Sequence, residues 1–224
     1  NLEALRRTTL RPLDWILSMT HLTTRLMTLP HVNRRAVLGG LGGLALVPRQ
    51  AFALTTAQAS TLVNRLVDDI NSSISSGRTG AALYRDFENI FSRYADTAVI
   101  ARSVLGADWR SINDAQRRNF TSVFQSYMAR KYGRRFREFQ GGRIEVARAT
   151  EVNRYVEVNA RAILPRRSPI GMTFLVASRG GTDRFFDIRI EGVSLARTER
   201  EEIGALLDQR RGDIDQLIAH LQTL

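Results

Sequence analysis

The chain has no cysteine and only three histidines, and these shortages limit the metal sites and catalytic sites that it can form. Two of the histidines, His21 and His31, lie in a segment that we expect to be removed, which leaves His220. A cysteine or histidine metal cluster is therefore excluded, and a Ser-His-Asp triad would have to use His220. No glycine-rich phosphate loop follows a predicted strand. We predict a protein without metal or cofactor.

Residues 1–53 have the features of an export signal. The pair Arg34-Arg35 precedes twelve apolar or glycine residues at 36–47, and Ala51-Phe52-Ala53 is typical of a cleavage site. Twelve residues are too few to span a bilayer, which needs about 20. The arginine pair also resembles the twin-arginine export motif, although the general secretion route stays open. We expect export, with cleavage after Ala53.

The chain starts with Asn1, while Met19 and Met27 both precede the arginine pair. We expect translation to start at one of these methionines, which would make the preceding residues an over-extended reading frame. Residues 54–224 then form a single domain. A domain of that size buries roughly 70% of its extended surface and needs no disulfide to fold.

The net charge is +11, of which +5 belongs to residues 1–53 and +6 to residues 54–224. Nearly all of the basic residues are arginines, since Lys131 is the single lysine. A basic charge of this size often accompanies nucleic-acid binding. Export removes that partner, so we predict no nucleic-acid binding.

Hydrophobic periodicity predicts helices, then a sheet, then helices. Helical spacing occurs at 62–74, 83–91 and 99–104, and again near 203–207 and 214–221. A capping box of Asn113 and Gln116 predicts a long helix that runs through Phe139. Four strands are predicted near 144–146, 156–160, 170–176 and 186–190. Because short turns join these strands, we expect an antiparallel sheet in an α+β fold.

Two separated segments carry the strongest functional signal. In Asp183–Ile203, apolar residues at 186, 188 and 190 alternate with charged ones, so Phe186 is predicted on the buried face of a strand. This segment resembles the C-terminal signature of the MlaC family, also called Ttg2 or toluene-tolerance proteins, in which D-v-x-i-E-G-V-S-L precedes an arginine, here Arg200. The segment Tyr94–Arg110 resembles the family pattern D-x-x-x-I-A-R-x-V-L-G-x-x-W-R. The resemblance extends from about Ala57 to the end of the chain.

The resemblance implies a periplasmic phospholipid carrier with an NTF2-like fold, in which an antiparallel four-stranded sheet packs against a helical layer with helices at both ends. It implies partners in a lipid-asymmetry transport system, namely an inner-membrane ABC transporter complex and an outer-membrane lipoprotein complex. The lipid would be cargo rather than cofactor, and no covalent catalysis would occur. A related group is associated with hopanoid biosynthesis, so the identity of the lipid stays open.

Periodicity alone does not distinguish a filled core from a hollow one. In a hollow core, one chain of about 16 carbons would gain on the order of 12 kcal/mol at ~0.8 kcal/mol per methylene, while an exposed ion pair supplies about 0 to 1 kcal/mol. Burial of the acyl chain would therefore contribute more to the affinity for lipid than ion pairs with the headgroup. The candidate lipid contacts are Phe91, Val104, Leu105, Trp109, Phe120, Phe124, Val158, Phe174, Val176 and Phe186.

Two alternatives to the carrier interpretation remain. Asp187 and Glu191 could form an acid pair in an NTF2-like enzyme, but we favour an ion-paired face with Arg189 or Arg200. An interaction module with a solid core is a further alternative. Ser194 is predicted to be a turn or helix-cap residue.

A basic stripe is predicted on the long helix. It consists of Arg130, Arg134 and Arg137, flanked by Lys131 and Arg135. It could meet anionic headgroups or an acidic docking surface. We favour a solvated face.

Overall fold

The structure is a computed structural model that describes residues 54–135 and 141–224. The predicted cleavage site, the arginine pair and the candidate start sites lie outside these residues. So do Arg137, the expected helix end near Phe139 and the side chain of Arg135.

Six α-helices lie in the described part of the chain. They are α1 (Thr56–Ser75), α2 (Gly80–Tyr94), α3 (Thr97–Leu105), α4 (Asp114–Arg135), α5 (Leu195–Asp208) and α6 (Ile214–Thr223), with a short 3-10 helix at Asp108–Arg110. The predicted capping box of α4 is confirmed, because the Gln116 N–H donates to Asn113 Oδ1 (2.9 Å) and the Asn113 N–H donates to Gln116 Oε1 (3.1 Å). None of the helices in the described ranges is long and apolar enough to cross a bilayer.

The strands form one antiparallel sheet in chain order. They are β1 (Arg143–Val152), β2 (Tyr155–Ile163), β3 (Ile170–Arg179), β4 (Thr182–Ile190) and β5 (Val193–Ser194). The prediction of four strands was short by one, because β5 pairs with the end of β4 after a turn at Glu191-Gly192. A strand of two residues is too short to show alternation in the sequence.

A bulge in β4 corrects the predicted orientation of Phe186. The pairing of β3 with β4 shifts register between Leu175 and Val176, and Phe186 is the extra residue. Phe185 therefore takes the buried position, with 3% of its surface exposed. Phe186 instead packs edge-on against Tyr155, at a ring-centroid distance of 5.6 Å.

The helices cover one face of the sheet in a connected layer. Helix α1 packs on β1 and β2, α2 packs on α4, α3 packs on α5, and α4 also packs on α6. Inside this layer Phe120 and Phe124 of α4 are fully buried and stack on each other, with ring centroids 5.6 Å apart.

Two members of the basic stripe of α4, Arg130 and Arg134, make contacts inside the domain, although Arg134 is exposed, so the predicted solvated face is correct only in part. Arg130 donates to the Leu221 carbonyl (2.7 Å) and Arg134 donates to the Leu224 carbonyl (2.8 Å). The last carbonyls of a helix lack intrahelical partners, and cations are favoured at that end. Arg130 and Arg134 therefore hold the end of α6 against α4, and Lys131 joins a separate ion pair described below.

Gly106 ends α3 in a conformation that side chains rarely adopt. Its φ is 61° and its ψ is −119°. A Cβ built on it would lie 2.5 Å from Nη2 of Arg200, so the glycine also allows this guanidinium to approach the backbone.

We predict that Gly106→Ala lowers the free energy of unfolding by about 1–3 kcal/mol or more, because it adds backbone strain and displaces Arg200. Urea unfolding followed by circular dichroism measures the change. The matched control is Gly204→Ala in α5, where an added Cβ meets nothing within 4 Å. That change should raise stability by about 0.5–1 kcal/mol. Equal effects of the two substitutions would contradict this account.

Candidate functional site

An apolar cavity lies between the helical layer and the sheet. Its volume is about 120 Å³ and it is partly open. The walls come from α1, α2, α4, β3, β4 and the first residue of α5. They are Leu66, Ile70, Phe87, Ile90, Phe91, Met128, Ala129, Tyr132, Met172, Phe174, Phe185, Ile188, Ile190 and Leu195.

Three phenylalanines of the wall are joined by edge-on contacts. The Phe185 ring meets the Phe91 ring edge-on (centroids 5.9 Å apart, interplanar angle 76°) and the Phe174 ring at 6.1 Å and 74°. Edge-to-face packing of this kind is a favoured aromatic arrangement. The Tyr132 hydroxyl is the one side-chain polar group among the lining residues, and it is engaged elsewhere. A polar ligand group would therefore lose its hydrogen bonds here, whereas a hydrocarbon would not.

The ten candidate lipid contacts lie in four different parts of the structure. Phe91 and Phe174 line the cavity. Trp109 lines a second cleft, described below, and Phe186 lies on the far face of the sheet. The other six are buried without lining the cavity, namely Val104, Leu105, Phe120, Phe124, Val158 and Val176. Whether any of the ten contacts a lipid stays a prediction.

Several lining residues were missed because periodicity does not show where the layers separate. Ile188 and Ile190 were recognised as part of a strand face, but neither was singled out as a site residue. Phe185 was missed because the bulge reverses the orientation expected in β4.

The carboxylates of the proposed acid pair serve separate structural roles. Asp187 Oδ2 accepts a hydrogen bond from the Ser194 hydroxyl (2.6 Å), and Oδ1 accepts one from the Ala196 N–H (3.0 Å). Ser194 in turn caps α5, which confirms its predicted role. Glu191 instead accepts a hydrogen bond from the Gly171 N–H. Asp187 thus links β4 to the start of α5, and Glu191 links the turn after β4 to β3.

The prediction that Asp187 and Glu191 form ion pairs with Arg189 or Arg200 was wrong. Arg189 pairs with Glu157 on β2 (2.7 Å) rather than with Asp187 or Glu191. Arg200 lies against Gly106. Strand β3 lies between β4 and β2, so the Arg189 side chain reaches across β3 to Glu157.

A family model described as MlaC protein matches residues 60–223, which is most of the chain. The chain belongs to the MlaC family. Its structure is similar to that of a phospholipid-binding protein from Ralstonia solanacearum, solved in complex with a phospholipid. The TM-score is 0.59 at 17% sequence identity, and the match covers 73% of this chain and 98% of that chain. The predicted α+β, NTF2-like fold class is confirmed.

This MlaC-family domain also contains a buried charged network next to the cavity. Glu199 has no exposed surface, and Lys131 Nζ lies 2.8 Å from its Oε1 and 2.6 Å from Glu202 Oε2. The Tyr132 hydroxyl donates to Glu199 Oε1 (2.5 Å), and the Tyr127 hydroxyl donates to Glu202 (2.8 Å). Because Tyr132 lines the cavity, the network ties the cavity wall on α4 to α5.

Burial governs the electrostatics of this network. It raises the pKa of the Glu199 carboxyl, although the ammonium of Lys131 and the hydrogen bond from Tyr132 act in the opposite direction. Burial also raises the pKa of Tyr127, helped by the nearby charge of Glu199. Lys131 is therefore the group that makes a charge at Glu199 tolerable.

We predict that Lys131→Met lowers the free energy of unfolding by about 3–5 kcal/mol, because it leaves the Glu199 carboxylate buried without its partner. Urea unfolding at neutral pH measures the loss. The matched control is the double variant Lys131→Met/Glu199→Met, which removes both charges and should recover most of the stability. Additive losses in the double variant would show that the pair is not coupled.

Proposed function

We propose that this protein is a periplasmic carrier that holds the acyl chains of a phospholipid between its sheet and its helical layer. The observation that carries the proposal is the cavity, whose walls offer a ligand hydrocarbon and aromatic surface. Membership of the MlaC family, a periplasmic family, supports it, as does the likeness to a protein solved with a phospholipid.

The size of the cavity implies that the layers separate when lipid enters. Pockets for drug-sized ligands measure about 300–1,000 Å³, whereas this cavity measures about 120 Å³. An acyl chain of about 16 carbons gains on the order of 12 kcal/mol on leaving water. That gain would offset part of the cost of moving packed helices away from the sheet.

The proposed route of the lipid follows from the family. The protein would exchange phospholipid with an inner-membrane ABC transporter complex and an outer-membrane lipoprotein complex, and the ATPase of the transporter would supply the energy. The segment 1–53 would direct export and be cleaved after Ala53.

We predict that protein purified from cells carries a phospholipid-sized adduct in native mass spectrometry, and that Met172→Trp reduces this adduct by about tenfold or more. The indole would fill the cavity that Met172 lines, and each lost methylene contact costs ~0.8 kcal/mol. Extraction and mass analysis of the adduct would identify the lipid.

The matched control is Thr173→Trp, one residue along β3. Side chains of successive strand residues point to opposite faces, and the Thr173 hydroxyl donates to Asn159 Oδ1 (2.9 Å) away from the cavity. This variant should keep the adduct. The proposal fails if the parent protein carries no lipid, or if a folded Met172→Trp variant carries as much as the parent.

A further inference from the structure

A second cleft lies between α3, the 3-10 helix, the end of β3 and α5. It has a volume of about 530 Å³ and shares no lining residue with the apolar cavity. Four arginines line it, namely Arg102, Arg110, Arg179 and Arg200, together with Trp109. Its volume falls within the about 300–1,000 Å³ typical of small-ligand pockets.

The positive charge of this cleft is poorly compensated. Arg179 Nε lies 3.7 Å from Asp96 Oδ2, a long ion pair. Arg102, Arg110 and Arg200 make no ion pair within 4.0 Å to any carboxylate of residues 54–135 or 141–224. Like charges gathered in a concave site raise the local potential and attract anions.

The walls of the cleft are fixed by their neighbours. Arg200 packs against the backbone at Gly106, where the absence of a Cβ allows the guanidinium to approach. Arg117 donates to the Trp109 carbonyl (3.1 Å), and its guanidinium lies 5.9 Å from the centroid of the Trp109 ring. Two of the lining groups are thus held in place before any ligand arrives, which lowers the entropy lost on binding.

We propose that this cleft binds a phosphate group. Guanidinium groups present planar pairs of N–H donors that match the oxygens of phosphate, and several of them can share its charge. The concave shape suits a small anionic group better than the flat surface of a protein partner. The phosphate could belong to a soluble compound or to a lipid headgroup, and the test separates these sources.

Trp109 is a reporter in the wall of the cleft. The chain has one other tryptophan, Trp15, which precedes the predicted cleavage site, so a Trp15→Phe protein contains Trp109 alone with or without that cleavage. Its fluorescence is followed in titrations with inorganic phosphate at constant ionic strength. Parallel titrations use phosphatidylcholine vesicles with and without phosphatidylglycerol, and poly-glutamate.

We predict a saturable response that weakens by about tenfold or more in Arg102→Gln/Arg179→Gln. Both arginines are exposed, so the variant should fold. The control Arg148→Gln/Arg154→Gln removes the same charge from two exposed arginines of β1 and its hairpin turn, and should respond like the parent.

The outcomes separate the sources of the phosphate. A response to inorganic phosphate that the cleft variant loses supports a soluble ligand, and a response limited to phosphatidylglycerol vesicles supports a headgroup. The proposal is overturned if neither phosphate source binds, if both double variants lose binding equally, or if poly-glutamate alone binds. Because inorganic phosphate has no acyl chain, its result does not depend on the proposed lipid carriage.

Discussion

An apolar gap between the helical layer and the sheet is the constraint on which the rest of the structure depends. Protein interiors are normally close-packed. An unfilled volume of about 120 Å³ lowers the stability of the folded domain by about 3 kcal/mol, at ~24 cal/mol per Å³. The edge-on rings of Phe91, Phe174 and Phe185 form part of the wall of this gap. A hydrocarbon ligand would restore the missing contacts, so the same gap that weakens the empty domain would favour the loaded one.

The buried charges join α4 and α5 on the helical side of this gap. Lys131, the single lysine of the chain, lies between the carboxylates of Glu199 and Glu202 and the rings of Tyr127 and Tyr132, with ring-centroid distances of 5.3 and 5.7 Å. A compact ammonium fits this space better than the broad fork of an arginine. Since the network joins α4 to α5, a lipid that displaces the Tyr132 ring would also act on this ion pair.

Local chemistry allowed much of the fold to be predicted from the sequence. The capping box of Asn113 and Gln116 and the Ser194 cap each depend on residues a few positions apart, and both were confirmed. The orientation of Phe186 was not predictable from alternation, because a bulge is set by pairing with β3. The pair of Lys131 and Glu199 joins residues 68 positions apart, and the cavity depends on the spacing of whole layers.

The most direct test of the central claim is a crystal structure of the protein with the lipid that it retains on purification from cells. The account predicts acyl density that enters between Phe91 and Phe185, with α2 or α4 moved away from β4 relative to the empty protein. Acyl chains bound elsewhere on the surface, with the gap between the layers closed by side chains, would contradict it.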